Sequence, residues 1–359
     1  MALMVMGCGS DAAPQPEAAA STSSTSTSSP PSLPPTSEPQ ASAPPTTTPS
    51  TTSEPQPEVA AGDAAAALCA VSGTDEVGRV ENDDLREASG LVASRAHSGV
   101  FWSHNDSGND GGVFAVGEDG SDLGFFALGD SVAFDVEDIA LAPRTDGDHL
   151  LLADFGDNFE QRDTIAIYRF AEPVPGTPVV IDDFETLEFR YPDRPHNAEA
   201  LLFDETSGRI VIVTKEQVAE DDPPDGSGPT APSFVFEGVL DGAGDGPVEL
   251  VPAGTIDTPH LETLTNGLVP HPLSVLGFGG VPTGGDVSAD GALVALRTYE
   301  TAWVWPRQPD QTVAEAFTNE PCEADTALEI QGEAIAFAAG HLVTVGEGKN
   351  RPLHRTESG

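Results

Sequence analysis

From about residue 63 onward the chain is built of short apolar runs that alternate with polar positions and are broken by Gly, Asp and Pro. That period-two pattern predicts half-buried strands, and helical spacing is scarce. One unit recurs. An acidic residue heads a short apolar run, a turn with Gly or Asp follows, and a second apolar run ends in a carboxylate. The clearest copy is Gly332-Glu333-Ala334-Ile335-Ala336-Phe337, followed by His341-Leu342-Val343-Thr344-Val345 and closed by Glu347. Earlier copies open at Glu87, Glu137 and Glu199. A looser one opens at Gly285-Asp286-Val287-Ser288, with the acid displaced by one position.

The copies start 50, 62, 86 and 48 residues apart. A four-stranded propeller blade needs about 40–50 residues. The pattern therefore predicts an all-β fold, a β-propeller of five blades, or six if 261–282 is a degenerate blade rather than an insertion. The expected strands are 88–93, 100–104, 113–116 and 123–128 in the first blade, then 138–142, 150–154, 165–170 and 187–191. The third blade takes 200–203, 210–214, 234–239 and 248–256, with an acidic, proline-rich loop at 220–232. The fourth takes 287–288, 293–297, 302–305 and a poor last strand at 312–317. The fifth has 334–337, 342–345 and 352–355, and lacks a fourth strand. An N-terminal strand at 76–81 is placed to close the ring. Cys69 lies just before that strand and Cys322 just before the fifth unit, so a disulfide between them would lock the closure. Two unrelated thiols are the alternative.

Residues 9–62 are Ser, Thr, Pro and Ala with scattered Glu, a composition that buries too little apolar surface to fold and predicts a disordered linker. The apolar opening stops at Val5-Met6-Gly7-Cys8, which fits the end of a bacterial lipoprotein signal. The expected layout is a truncated signal remnant at 1–8 with lipid on Cys8, a spacer at 9–62 and the propeller at 63–359. An ordinary cytoplasmic start is the alternative. No run of 18 apolar residues exists to cross a bilayer, so membrane contact is expected only through the N-terminal lipid. The expected location is extracytoplasmic, as a cell-envelope lipoprotein or a secreted protein.

Charge narrows the partners. There are 15 Lys and Arg against 59 Asp and Glu, a net charge of -44. Nucleic acid and anionic membrane surfaces are excluded, because both need a basic footprint. Cations, neutral molecules, small or protein, and basic surfaces remain. The chain is expected to be a monomer.

In a propeller the start of each innermost strand and the end of the second strand lie on one face. The heads here are Glu87, Glu137 with Asp138, Glu199, Asp286 and Glu333. The second-strand ends are Asp106, Asp157, Glu216, Glu300 and Glu347. Converging like charges need compensation. Hard oxygen ligands without clustered His or Cys suit calcium, with Glu87, Glu137, Asp138, Asp157, Glu199, Glu216, Asp286 and Glu333 as candidate ligands. The alternative is that these acids pair with channel-facing main-chain amides and the few basic groups. Lys215, Arg162, Arg297 and Arg351 are the cations placed to pair with them or to hold an anionic ligand. His104 beside Asp106 is a candidate general base, although His104-Asn105-Asp106-Ser107-Gly108-Asn109-Asp110 also reads as an Asx-rich turn. There is no Gly-x-Ser-x-Gly, His-Glu-x-x-His, phosphate-cradling Gly-rich loop or Cys-x-x-Cys.

Taken together, Glu87-Ala88-Ser89-Gly90-Leu91, Ser103-His104-Asn105-Asp106-Ser107-Gly108, Val136-Glu137-Asp138-Ile139-Ala140, Gly156-Asp157-Asn158, Ala198-Glu199-Ala200-Leu201, Thr214-Lys215-Glu216, Gly284-Gly285-Asp286-Val287 and Gly332-Glu333-Ala334-Ile335 resemble uncharacterised secreted or lipid-anchored β-propellers of actinobacteria. More loosely they are similar to the phytase-like, or esterase-like, propellers. The resemblance spans about 81–355. It implies acids gathered for a metal, with lysines or arginines for phosphate. The leading functional expectation is a tethered propeller that binds a ligand with calcium at its acidic face. A metal-dependent hydrolase of phosphoric or carboxylic esters is the second, and a protein-interaction scaffold the third.

Overall fold

The computed structural model describes residues 60–106, 108, 111–129, 133–216, 231–241, 246–258, 261, 280–329 and 331–356. Cys8, nearly all of the linker, Ser107, Asn109, Asp110 and most of 220–232 and 261–282 lie outside them. The described residues form five antiparallel sheets, one per blade of a five-bladed β-propeller. A helix, α1 (Ala61–Cys69), comes first, then strand β1 (Thr74–Arg79). Blade I is β2 (Ala88–Ala93), β3 (Val100–Asn105), β4 (Gly112–Gly117) and β5 (Asp122–Ala127). Blade II is β6 (Val136–Arg144), β7 (Gly147–Asp154), β8 (Ile165–Ala171) and β9 (Glu185–Arg190). Blade III holds β10 (Ala198–Asp204), β11 (Arg209–Thr214) and β12 (Ser233–Val239). The two-residue β13 (Val248–Glu249) crosses to pair in parallel with β9, and β14 (Val251–Ile256) completes blade III. Blade IV is β15 (Pro282–Val287), β16 (Leu293–Thr298), β17 (Ala302–Pro306) and, after helix α2 (Val313–Ala316), β18 (Cys322–Ala324). Blade V is β19 (Gly332–Ala338), β20 (His341–Gly346) and β21 (Pro352–Thr356).

Three expectations are corrected. The first strand of blade IV, expected at 287–288, lies earlier, at Pro282–Val287. The poor strand at 312–317 is a helical turn. Thr312 caps the Glu315 amide and Glu315 caps the Thr312 amide, while Val313 and Ala316 are buried. The fourth strand of blade IV comes later, at Cys322. The single strand at 248–256 is two, split where the Leu250 amide bonds Arg190 O of the neighbouring blade.

Ring closure follows the expected route. β1 pairs antiparallel with β21 and supplies the fourth strand of blade V. Cys69 and Cys322 are disulfide-bonded, joining the end of α1 to the start of β18. Such a bond fits an oxidising compartment. Among the described residues no helix is long and apolar enough to cross a membrane.

Each innermost strand lies beside the next, β2 by β6, β6 by β10, β10 by β15, β15 by β19, and β19 back to β2. Between neighbouring blades sits a separate apolar cluster. Trp102, Phe126 and Leu150 fill the first interface, Phe155, Phe189 and Ile212 the next, and Trp303 and Trp305 the third. Ala65 and Leu68 of α1 add to the cluster between blades IV and V, and Leu91 and Val345 lie between V and I.

One irregularity repeats in every innermost strand. Each pairs with its second strand through a shift of one residue just after its start. The extra residues are Glu137, Glu199, Thr283 and Glu333. In β2 the shift falls between Ala88 and Leu91, which sets Ser89 in the corresponding place. A β-bulge of this kind bends the strand and re-aims its side chain.

Candidate functional site

The bulge decides which acids meet. Glu137, Glu199 and Glu333 are buried at one mouth of the ring, and the charge of Glu199 acts on both of the others. In blades I and IV the bulged residue is a hydroxyl. Ser89 Oγ donates to Glu137 O at 2.8 Å, and Thr283 Oγ1 to Gly332 O at 2.9 Å. Each hydroxyl thus stitches its blade to the next. Glu87 and Asp286 are therefore not the equivalents of the three glutamates. Glu87 precedes its bulge by two residues, and its carbonyl accepts the Asp106 amide at 2.9 Å. Asp286 follows its bulge by three.

All five blades furnish the mouth. Asp106 comes from the end of β3, Asp135 from the lead-in to β6, and Lys215 from just beyond β11. Tyr299 stands on the β16–β17 hairpin, and Glu347 follows β20. Asp106, Asp135 and Glu137 each place a carboxylate oxygen within 4.8 Å of the other two. Gly156 makes this possible. A Cβ there would run into the Glu137 carboxylate and the Asp135 carboxyl carbon, and its amide donates to Asp135 O at 3.1 Å. Only glycine lets the chain pass so close.

Burial raises Glu137 and Glu333 well above the usual carboxylate range, and neighbouring acids add to it: Glu199 and Asp106 for Glu137, Glu199 and Glu347 for Glu333. Glu347 is raised too, by burial and then by Asp106 and Glu87, although it shares a hydrogen bond with Glu333. Burial also raises Glu199, but Lys215 pulls it back. Lys215 Nζ lies 2.7 Å from Glu199 Oε1 and 2.9 Å from Tyr299 Oη. Burial opposes the lysine's charge, yet Glu199 and Tyr299 outweigh it and hold the ammonium above its ordinary value.

The remaining sequence candidates are engaged elsewhere. Asp138 sits one residue deeper than the bulge, where the other blades carry Gly90, Ala200, Gly284 and Ala334. It accepts the amides of Leu201 at 2.8 Å, Gly285 at 3.2 Å and its own Ile139 at 2.8 Å, tying blades II, III and IV across the axis. Burial nevertheless raises it well above normal. Asp286 accepts Phe337 N at 2.7 Å and Val287 N at 2.8 Å, and burial pushes it up to about 7. For these two acids the main-chain amide alternative describes what is seen. Asp157 Oδ2 caps the amides of Gln161 and Arg162 at 2.6 Å each. Glu216 binds His196 at 2.7 Å and Arg194 at 2.8 Å.

Of the cations, Arg162 pairs with Asp154 at 2.8 Å, Arg297 with Glu329 at 2.7 Å, and Arg351 Nε donates to Glu347 O. His104 is fully buried. Its Nδ1 meets Asn105 O at 3.0 Å, its Nε2 abuts Gly90, and burial lowers its pKa to about 4. The imidazole is neutral at pH 7 and turned to main chain rather than to Asp106. Asp135, Tyr299 and His196 were not anticipated. Asp135 belongs to a connection between blades, and Tyr299 and His196 join their partners only through the fold.

The three clustered carboxylates suit a hard divalent cation. Ligands on opposite sides of calcium, at about 2.3–2.6 Å each, stand about as far apart as this cluster allows. Among the described residues neither His nor Cys joins the cluster to favour a softer metal.

No protein-family model matches the sequence, and no curated protein matches it. Among solved structures, the chain is similar to the PQQ-bound aldose sugar dehydrogenase of Streptomyces coelicolor, at 12% identity and a TM-score of 0.40 over 79% of this chain and 98% of that one. It is similar also to the nidogen/laminin complex, at 13% identity and a TM-score of 0.38 over 73% of each chain.

Proposed function

We propose that this chain is an extracytoplasmic binding protein whose five-bladed ring takes a ligand at the acidic mouth through a bound divalent cation, calcium by preference. Residues 1–8 supply a lipid anchor at Cys8, 9–62 a spacer and 63–359 the ring. The observation that carries the reading is the oxygen cluster of Asp106, Asp135 and Glu137, backed by Glu199, Glu333 and Glu347. Lys215 pairs with Glu199, and a bound cation would offset the mutual repulsion of the neighbouring carboxylates. The cation would offer open coordination positions to a ligand's carboxylate, phosphate or hydroxyl oxygens. The chain's own part is to position the carboxylates and keep water from the inner wall of the mouth.

Hydrolysis of esters is the lesser reading. The four cations that could steady an ester phosphate are engaged by Glu199, Asp154, Glu329 and the Glu347 carbonyl, and His104 is walled off from the mouth.

Calcium titration by calorimetry tests the reading, alongside thermal melts. Calcium should bind and raise the melting temperature of the wild type. Glu137→Gln should abolish both effects while leaving the ion-free protein at least as stable, because a repelled buried charge has gone. An unresponsive wild type would overturn it. Turnover of phosphate or acyl esters that depends on calcium and on Glu137 would move the conclusion to the hydrolase. Palmitate labelling of full-length protein, lost in Cys8→Ala, tests the anchor.

A further inference from the structure

Toward the end of the ring opposite the acidic mouth, all five innermost strands contribute residues to a cavity of about 340 Å3. Its lining is mixed: Val92, Leu141 and Phe337 form an apolar wall, polar side chains make up about half of the rest, and Asp286 is among the lining residues. Most polar side chains around it already have partners. Arg307 is held by Asp204 at 3.2 Å and Thr206 at 2.7 Å. Arg95 is held by Asp148 at 3.0 Å and by Glu205. Ser288 and Asp290 bond each other at 2.7 Å.

Asp286 is served differently. Its two oxygens take one main-chain amide each, from Phe337 and Val287. A carboxylate offers about four acceptor directions, so both oxygens keep capacity toward the cavity. Among the described residues no basic side chain is ion-paired with it. The cavity thus joins one under-used carboxylate to a partly apolar chamber of ligand size.

We propose that this cavity is a second binding site, separate from the acidic mouth, for a small organic cation: a primary ammonium on a short apolar body, with its N–H groups directed at Asp286. An anion is disfavoured, because both arginines are already ion-paired with carboxylates and Asp286 would repel it. A calcium ion is disfavoured, since Asp204 and Glu205 are paired with arginines and Asp290 with Ser288, which leaves too few uncommitted oxygens for six ligands.

Calorimetry with benzylammonium chloride tests the assignment, with benzyl alcohol and glucose as uncharged probes. Benzylammonium should bind saturably and at least tenfold more tightly than either uncharged probe. Asp286→Asn should weaken it at least tenfold, whereas Glu137→Gln and calcium removal should not change it. Ala93→Leu narrows the cavity while leaving Asp286 untouched and should also abolish binding. It decides the matter if Asp286→Asn fails to fold. Lack of saturable benzylammonium binding to folded wild type, equal binding of an uncharged probe, or unchanged affinity in both variants would overturn the proposal.

Discussion

Lys215 Nζ stands 2.7 Å from Glu199 Oε1, with the two side chains 8% and 4% exposed. Breaking a buried pair leaves one charge stranded at a cost of about 3–5 kcal/mol. Lys215→Met should therefore destabilise the ring by roughly 3 kcal/mol at pH 8, read from urea unfolding. The loss should shrink near pH 5, where Glu199, already raised, can take a proton instead. A loss that is the same at both pH values would show that Glu199 is not the stranded partner.

Stability should fall as pH rises through neutrality in calcium-free solution. Asp286, at about 7, and Glu137 and Glu333, well above their ordinary value near 4.5, bind protons more readily folded than unfolded. Where the folded state holds more protons, unfolding becomes easier with rising pH. Their cost is absent below the unfolded values, near pH 4, and grows until the folded values are passed. Glu329 and Glu216 have the opposite sign. Burial works to raise them, but Arg297 and His354 in one case, and His196 and Arg194 in the other, hold them below the usual range. Their contribution is lost as pH drops below about 4.5. Melting temperature against pH should peak in mildly acid solution, and Glu137→Gln should flatten the alkaline side. A profile still rising between pH 6 and 8 would contradict the assignment.

Gly156→Ala places a methyl group against the ends of the Glu137 and Asp135 side chains. Both are flexible, so the fold should survive with a small loss, about 1 kcal/mol. Calcium affinity should fall at least tenfold, because the carboxylates are pushed from their shared position. Far-ultraviolet dichroism and calorimetry on one sample separate the two effects. An intact calcium response would place the ion elsewhere.

The Cys69–Cys322 disulfide fastens α1 to blade IV beside the closing strand. Losing it should cost about 2–4 kcal/mol, or roughly 5–10 °C in melting temperature. Cys322→Ser, compared with wild type under reducing and oxidising conditions, provides the check. Reductant should lower the wild type to the level of the variant and leave the variant unchanged.

Much of the ring was legible because period-two runs and turn residues are local signals. The first-blade strand at Ala88–Ala93 and the lending of an N-terminal strand to blade V both follow from them. The register at the bulge was not. Glu87 and Asp286 stand near the right places to complete a five-acid series, yet one inserted residue changes which side chain faces the axis, and Ser89 and Thr283 hold those positions. Aligning the small residues that follow each bulge, Gly90, Ala200, Gly284 and Ala334, would have marked Asp138 as the exception and exposed its role across the axis. Asp135 lies between repeats, where no periodicity points to it.

The axial residues owe their direction to a defect in main-chain pairing that is set by the sheet beneath them. The strand pairing itself accommodates different side chains there: three glutamates, a serine and a threonine already share one backbone geometry. A lineage could retune what enters this ring by single substitutions at five positions, and a protein engineer could do the same, much as a lock is re-keyed by changing pins while its barrel stays in place.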